Sequence, residues 1–211
     1  MSSKYLPPKD ELKYETVGRW SLVGEIGRGK NGVVYEARNK ITDDITDYAA
    51  VKLVPVENLK LNWQAEIQKA VLLEGIEQSV PFKGYQEAVL RNRPYAALFW
   101  KYEHGPNLRT FVKRFPLNIT ISFIDNLLEQ LLRLLLAMAD SDISHCDLHE
   151  GNIIIAEPDH RKYELLPAIK VTDFGIGSSI NGLEPKDDYI QVASLPFSFG
   201  VNRPGRPHLT Y

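Results

Sequence analysis

The chain contains very little cysteine: one residue, Cys146, among 211. A lone cysteine cannot form a disulfide within the chain, and this scarcity is typical of proteins from reducing compartments. Long apolar runs are also missing, because polar and charged residues interrupt the longest one, Leu127 to Ala139. The first residues are polar and lack the apolar stretch of a signal peptide. The sequence therefore predicts a soluble protein located in the cytoplasm.

The chain also lacks a strong charge of either sign. It has 25 lysines and arginines against 27 aspartates and glutamates, which gives a formal net charge of −2. This balance argues against a generally basic nucleic-acid-binding protein. Hydrophobic residues make up 44% of the chain and charged residues 25%, which is ordinary for a globular protein and excludes global disorder.

Hydrophobic periodicity predicts strands in the first half of the chain and mainly helices in the second. Alternating apolar residues, bounded by turn residues, predict strands over residues 20–26, 33–37, 48–54, 80–84, 88–90 and 95–101, with a short apolar strand at 153–155 and another at 169–172. Apolar residues at helical spacing predict helices over residues 63–74, 122–139 and 187–195.

A predicted turn at residues 104–106 (HGP) separates these two regions. We expect an α+β protein of two lobes. A loosely held leader covers residues 1–14, the first lobe covers residues 15–103, and the second lobe covers residues 104–211.

A glycine-rich bend, residues 27–32 (GRGKNG), lies between the first two predicted strands. Glycines let a backbone approach phosphate groups closely, although an ordinary hairpin has the same pattern. Because a strand follows the bend, it differs from the dinucleotide-binding turn, which a helix follows. Lys52, near the end of the third strand, either pairs with phosphates or exposes its ammonium at an edge. Glu66 on the first helix, or Glu74 as the alternative, would hold this lysine in place.

The most informative segment is a polar loop, residues 145–152 (HCDLHEGN), between the leucine-rich helix and an isoleucine-rich strand. Polar loops between buried elements often carry function. Two histidines in a loop with one cysteine lack the spacing of a zinc site. Asp147 suits a proton acceptor, whereas Asn152 suits an oxygen ligand. Asp173 ends the next strand, and Asn152 with Asp173 offers the oxygen donors that Mg²⁺ prefers.

The order of these motifs resembles that of the eukaryotic-type protein kinases: a glycine-rich loop, a strand lysine, a helix glutamate, an HxDxxxxN loop and Asp-Phe-Gly. The resemblance covers about residues 20–195. It implies a two-lobed α+β kinase fold, with a five-stranded antiparallel sheet and one main helix in the first lobe and a truncated, mostly helical second lobe. It also implies that the kinase uses Mg-ATP, and that Lys52 is positioned by Glu66 and binds the α- and β-phosphates. It further implies that Asp147 orients or deprotonates the acceptor hydroxyl.

The resemblance also implies the remaining contacts with Mg-ATP. The phosphates would be covered by Gly27, Gly29 and Gly32. The adenine would pack between Val34, Ala50 and Ile154, and would pair with the Lys101 carbonyl and the Glu103 amide next to a bulky gatekeeper, Trp100. The Mg²⁺ ligands would be Asn152 and Asp173.

Several features depart from the usual kinase pattern. Cys146 replaces the arginine of H-R-D, which normally reads a phosphate in the activation loop, and His149 replaces the usual lysine. No Ala-Pro-Glu follows the Asp-Phe-Gly, although Asp188 resembles the start of the large helix beneath the catalytic loop. The loop itself is more similar to that of the aminoglycoside and choline kinases.

We therefore expect a Ser/Thr protein kinase with a protein substrate and an activating protein partner, and neither nucleic acid nor a membrane as a partner. The two alternatives are a small-molecule kinase of the aminoglycoside or choline type, and a pseudokinase-like binding module that regulates a partner. The intact Lys52, Asp147, Asn152 and Asp173 argue against loss of the chemistry.

Overall fold

A computed structural model describes residues 6–29, 31–41, 47–59, 63–145, 147–156, 166–173 and 185–198, with the side chains of 63–66, 185–187 and 196–198 excepted. Three features of the predictions lie outside these residues: the role of Cys146, the Phe-Gly that follows Asp173, and the side chain of Glu66. The chain divides into two compact units, Met1–His104 and Gly105–Tyr211.

The first unit is built on an antiparallel sheet. Its strands are β1 (Thr16–Val17), β2 (Trp20–Arg28), β3 (Val33–Asn39), β4 (Tyr48–Pro55), β5 (Phe82–Leu90) and β6 (Arg93–Lys101). They form a six-stranded sheet in the order β1-β2-β3-β4-β6-β5. The predicted five-stranded sheet lacks β1, whose two residues are too few to show any alternation.

The predicted short strands at 80–84 and 88–90 are a single strand, β5. The sequence suggests an interruption because Gly84 and polar residues lie between the two apolar ends. In the structure Gly84 has a φ of 132° at a register irregularity, so the strand bends there and continues. Arg91 and Asn92, both with positive φ, form the two-residue turn into β6, whose left-handed backbone matches the twist of the paired strands.

The core of the first unit lies on one face of this sheet. Strand β4 shows the reason, because Ala49, Val51 and Leu53 are fully buried while Ala50 and Lys52 between them are partly exposed. The buried cluster on the core face comprises Leu12, Val17, Trp20, Leu22, Val33, Tyr35, Ala37, Ala49, Val51, Leu53, Leu90, Tyr95, Ala97 and Phe99.

The presence of Leu12 in this core corrects the expectation of a loosely held leader for its described part, residues 6–14. Leu12 has no exposed surface, and the Tyr14 amide donates to the Leu22 carbonyl at 2.8 Å. The local sequence is polar, so hydropathy alone does not reveal this packing. The sheet provides an apolar face for Leu12 that the segment itself lacks.

The first unit contains one α-helix among its described residues, α1 (Trp63–Leu72), which ends two residues before the predicted bound at 74. The second unit contains α2 (Leu108–Arg114), α3 (Ile121–Asp140), β7 (Ile153–Ile155), β8 (Ile169–Val171) and α4 (Pro185–Ser198). The prediction missed α2, a seven-residue helix whose start is marked by Asn107, the N-cap that accepts from the Thr110 amide at 2.9 Å.

Helix α3 is the main apolar element of the second unit. The Thr120 hydroxyl caps its start by accepting from the Phe123 amide at 3.1 Å. Its buried side chains follow helical spacing: Phe123, Leu127, Leu131, Leu134, Leu135 and Met138. Strands β7 and β8 pair with each other and give the second unit its antiparallel ribbon. Within the described residues, no helix is both long and apolar enough to span a membrane.

Candidate active site

The glycine-rich bend joins β2 to β3 in the first unit. Gly27 pairs with Val34 across the hairpin, and the Gly29 amide donates to the Gly32 carbonyl at 3.0 Å. A Cβ on Gly32 would lie 2.6 Å from the Leu53 carbonyl oxygen, so packing against β4 requires glycine there. A Cβ on Gly27 would lie 3.6 Å from the Val34 side chain, and one on Gly29 would lie 3.9 Å from the Gly32 carbonyl oxygen.

The predicted adenine and phosphate residues of the first unit share one face of the sheet. Lys52 lies directly opposite Val34 on β3, and Ala50 lies opposite Trp100 on β6. Because cross-strand partners and alternate residues share a face, Val34, Ala50, Lys52 and Trp100 all lie on the face opposite the main core. This shared face is the arrangement that a nucleotide-binding surface on the sheet requires.

Helix α1 packs on this same face. Ile67 contacts a small apolar cluster that includes Val54 and Leu98, the latter being the residue opposite Lys52. Glu66 precedes Ile67 in the helix, but its side chain lies outside the described residues, so its pairing with Lys52 stays a prediction. Glu74, the alternative partner, lies beyond the end of α1 and is exposed.

The predicted adenine-pairing groups follow the end of β6. Lys101 is its last residue, and the Lys101 amide donates to the Pro81 carbonyl at 2.9 Å. The Lys101 ammonium lies 3.0 Å from the Glu103 carboxylate, whose side chain is only 9% exposed. This ion pair joins the two residues whose carbonyl and amide are predicted to pair with adenine.

In the second unit, His145 organises the polar loop from a fully buried position. Its backbone amide donates to the Asp188 carboxylate at 2.7 Å, and its Nε2 lies 3.0 Å from the Thr172 carbonyl. Its Nδ1 accepts from the Asp147 amide at 3.3 Å. A neutral imidazole with its proton on Nε2 satisfies both ring contacts, and burial lowers the pKa of His145.

These contacts bring together the three residues predicted to carry the chemistry. The Asn152 side-chain amide donates to the Asp147 carbonyl at 2.9 Å. The Thr172 amide donates to the Asn152 carbonyl at 2.9 Å, which extends the pairing of β7 with β8 by one residue. Asp173 follows Thr172 directly with a φ of 57°, a left-handed backbone that is uncommon outside glycine.

The side chains around this point suit hard cations and proton transfer. The Asp147 side chain is 63% exposed. Asn152 and Asp173 offer an amide and a carboxylate oxygen, which fit Mg²⁺, an ion that usually takes few protein ligands and completes its shell with water and phosphate. The described residues contain no group of three or more His, Cys, Asp or Glu that could hold a metal. Ile154, the predicted adenine neighbour, is partly exposed between the buried Ile153 and Ile155.

His149 is held beside Asp147 by its own loop. Its Nδ1 accepts from the Gly151 amide at 2.9 Å, and its Nε2 lies 3.9 Å from an Asp147 carboxylate oxygen. A Cβ on Gly151 would lie 2.7 Å from the His149 ring, so this placement depends on glycine at 151. The loop therefore carries a second imidazole facing the predicted proton acceptor.

A residue that the sequence reasoning missed supports the loop from α4. The Gln191 side chain accepts from the Leu148 amide at 2.7 Å, three residues along the helix from Asp188. Residues three apart share a helix face, so the sequence holds a weak signal for this pair once Asp188 is placed in a helix.

A family model of the protein kinase domain matches residues 20–193. The chain belongs to the protein kinase domain family. This membership confirms the resemblance drawn from the motifs and the α+β kinase-like fold.

Two curated kinases are similar to this kinase domain over most of its length. A probable serine/threonine-protein kinase of Dictyostelium discoideum is 25% identical, over 84% of the chain and 32% of that protein. The dual specificity protein kinase YAK1 of Saccharomyces cerevisiae is 26% identical, over 92% of the chain and 24% of that protein. The chain thus spans a third or less of the length of these two relatives.

Among solved structures, the kinase domain is similar in fold to Rad53, which was crystallised in complex with AMP-PNP. The TM-score is 0.59 at 22% sequence identity, and the match covers 74% of this chain and 38% of that one. At this identity the likeness concerns the fold alone.

The buried His145 is expected to make the stability of the kinase domain depend on pH. Its pKa is lowered in the folded state, whereas the unfolded chain titrates near the ordinary 6.5. Stability is therefore fully present above about pH 6.5 and declines as the pH falls toward the folded pKa, because the unfolded state then binds more protons. Thermal denaturation of wild type and His145→Gln between pH 7.5 and 5.5 measures this, with the exposed His104→Gln as control. Parallel pH curves for wild type and His145→Gln would contradict it.

Asp188→Ala is expected to destabilise the kinase domain by about 1–3 kcal/mol, because it removes the acceptor of the buried His145 amide. Asp188→Asn keeps an acceptor oxygen and should lose less stability. Urea denaturation measures both variants, with Asp140→Ala, an exposed aspartate at the end of α3, as the matched control. An Asp188→Ala variant as stable as Asp140→Ala would show that this hydrogen bond does not support the loop.

Proposed function

We propose that this kinase domain is an active enzyme that transfers the γ-phosphate of Mg-ATP to a serine or threonine hydroxyl of a protein. The observation that carries the proposal is the hydrogen-bonded unit of Asp147, Asn152 and Thr172, organised by the buried His145 and directly followed in the chain by Asp173. A chain that had lost the chemistry would have no need for an exposed carboxylate and an oxygen ligand on this loop, with a second oxygen ligand directly after β8. The names of the two curated relatives, a serine/threonine kinase and a dual specificity kinase, support a protein acceptor.

In this proposal, the exposed Asp147 carboxylate orients the acceptor hydroxyl and accepts its proton as the hydroxyl oxygen attacks the γ-phosphorus of ATP. The bond from the γ-phosphorus to the β–γ bridging oxygen breaks, and ADP leaves. Asn152 and Asp173 would hold Mg²⁺, and the ion would supply positive charge beside the phosphate oxygens. Lys52 binds the α- and β-phosphates and is positioned by Glu66. Positioning and electrostatic stabilisation provide most of the rate in phosphate transfer, so each of these residues acts mainly through its placement.

The glycine-rich bend supports a nucleotide ligand. Gly27 and Gly29 have space for a Cβ against the chain itself, and neither is among the positive-φ glycines of the described residues. Folding alone therefore gives no steric reason for glycine at these two positions. A ligand that approaches the backbone closely, such as a row of phosphates, does give one. The adenine is proposed to contact Val34, Ala50 and Ile154 and to pair with the backbone at Lys101 and Glu103.

A small-molecule acceptor is the second candidate, and one observation favours it. His149 is held by the Gly151 amide beside Asp147, in a loop that is similar to that of aminoglycoside and choline kinases. An imidazole occupies the position at which Ser/Thr kinases usually carry a lysine.

Transfer of labelled phosphate distinguishes these proposals. The protein is incubated with γ-labelled ATP and Mg²⁺, alone, with generic protein acceptors, and with an aminoglycoside or choline. Label on a protein, including the chain itself, supports the leading proposal, and phosphoamino-acid analysis identifies the acceptor residue. Label on a small molecule alone supports the second candidate. Nucleotide binding without any transfer to these acceptors would favour a binding module.

A further inference from the structure

Arg28 lies inside the glycine-rich bend, yet its side chain contacts the N-terminal segment, residues 7–15. The Arg28 guanidinium donates to the Pro7 carbonyl through Nη1 at 2.8 Å. The same group binds the Glu25 carboxylate with two bonds, Nε to Oε1 at 2.8 Å and Nη2 to Oε2 at 2.6 Å. One side chain therefore joins the last residue of β2 to a segment that precedes it by 21 residues.

The N-terminal segment returns the contact. The Asp10 carboxylate accepts from the Glu25 amide at 3.0 Å, and the Asp10 amide faces the Glu25 carboxylate at 3.5 Å. The Glu25 side chain is only 7% exposed, whereas the Arg28 side chain is 34% exposed. The N-terminal segment and the end of β2 are thus joined by two sets of bonds, one from the Arg28 guanidinium and one to the Asp10 carboxylate.

The other end of the segment is anchored to the sheet. Leu12 is fully buried in the core, and the Leu22 amide donates to the Glu15 carbonyl at 2.9 Å. The Arg91 guanidinium lies 2.6 Å from the Glu15 carboxylate. The segment is therefore bound to Arg28 near Pro7 and to the sheet at Leu12 and Glu15, so its contact with Arg28 is held in place by the sheet.

Arg28 does not share a face with Lys52. Its cross-strand partner is Val33, a fully buried residue of the core face, whereas Lys52 pairs with Val34 on the opposite face. The guanidinium is therefore directed away from the proposed phosphate-binding face, so it acts on a nucleotide only through the backbone between Gly27 and Gly29.

The geometry points to Arg28 as a positioning residue: residues 7–15 form a clasp that, through Arg28, holds the glycine-rich bend in its nucleotide-binding conformation. This inference rests on the proposed function, since it assigns a task to the proposed phosphate-binding bend. Glycines on both sides of Arg28 give the bend many alternative backbone conformations. Holding it in one conformation before the nucleotide binds lowers the ordering cost of binding.

Two variants remove the contacts of the clasp, one on the glycine-rich bend and one on the N-terminal segment. Arg28→Gln removes the guanidinium, and Asp10→Gly removes the carboxylate while keeping the left-handed backbone at residue 10, where φ is 56°. Asp10→Asn is the conservative variant, because asparagine keeps an acceptor oxygen and tolerates this φ. Lys9→Gln is the matched control, since Lys9 is an exposed residue of the same segment.

The first measurement is hydrogen exchange of the amides of residues 26–34 in the nucleotide-free protein. We expect faster exchange in Arg28→Gln and Asp10→Gly, and exchange like wild type in Asp10→Asn and Lys9→Gln. The second is the split between KM and kcat, in which the two opening variants raise the KM for ATP by about three- to tenfold and change kcat less than about twofold, as the loss of one or two hydrogen bonds implies.

Unchanged exchange and an unchanged KM in both Arg28→Gln and Asp10→Gly would overturn the clasp. A fall in kcat with wild-type exchange would also overturn it, because the bend would then be held without Arg28. If wild type itself fails to bind nucleotide, the proposed function fails. The exchange measurement in the nucleotide-free protein still decides whether the clasp holds the bend, so the two failures are distinguishable.

Discussion

The Asp147→Asn variant is expected to transfer phosphate at least about a hundredfold more slowly than wild type, with its affinity for nucleotide changed less than about twofold. Asparagine keeps the size of the side chain and cannot accept the proton of the acceptor hydroxyl. The side chain of Asp147 is exposed, and its backbone contacts with His145 and Asn152 survive the change. Single-turnover rates with labelled ATP, together with nucleotide binding by calorimetry, measure the two quantities.

Asp173→Asn is the matched comparison for Asp147→Asn. Both variants neutralise one exposed carboxylate of the second unit, but Asp173 is proposed as a Mg²⁺ ligand. Asparagine also tolerates the left-handed backbone at 173, so the local fold is retained. The Asp173→Asn variant should bind nucleotide more weakly than wild type when Mg²⁺ is present, and about as strongly as wild type when EDTA removes the metal. Equal losses of nucleotide affinity in both variants would contradict the separate roles of the two residues.

The Lys52→Met variant is expected to lose more than about 90% of the transfer rate, a barrier increase above roughly 1.4 kcal/mol, while remaining folded. Methionine keeps the apolar stem of lysine and removes the charge that pairs with phosphate oxygens. Lys52 lies on the proposed nucleotide face beside Val34 and Ala50, and the main core lies on the other face. Initial rates and thermal unfolding measure both parts of the prediction.

Arg38→Gln is the control for the loss of one positive charge on the same sheet, because Arg38 is an exposed residue of β3. It should keep the wild-type rate. A Lys52→Met variant that retains more than about a tenth of the rate would mean that another cation binds the phosphates. A Lys52→Met variant that unfolds would instead assign this lysine to the stability of the first unit.

Local patterns are sufficient for the elements whose burial follows one period. The alternation in β4 predicts both the strand and its two faces, so the residue order alone assigns Lys52 and Ala50 to the less buried face. The leucines of α3 repeat every three or four residues, and the helix extends one residue beyond the predicted range at each end. The kinase motifs add an order along the chain, and that order suffices to identify the family.

Local patterns fail where the deciding contact is distant. The polar string around Leu12 predicts a loose leader, because the apolar face that buries Leu12 belongs to strands farther along the chain. The seven residues of α2 are too few for a periodic signal, and their start depends on one capping asparagine.

The sequence alone therefore determined the fold class, the family and the residue types available for phosphate transfer, since these follow from short-range periodicity and motif order. Only the tertiary structure decided how the residues are held. His145 contacts Asp188, which is 43 residues away in the sequence, and Thr172, which is 27 residues away. Arg28 contacts Pro7, 21 residues before it. A hydrogen bond between such distant residues forms only after the chain between them has folded, so no spacing in the sequence records it.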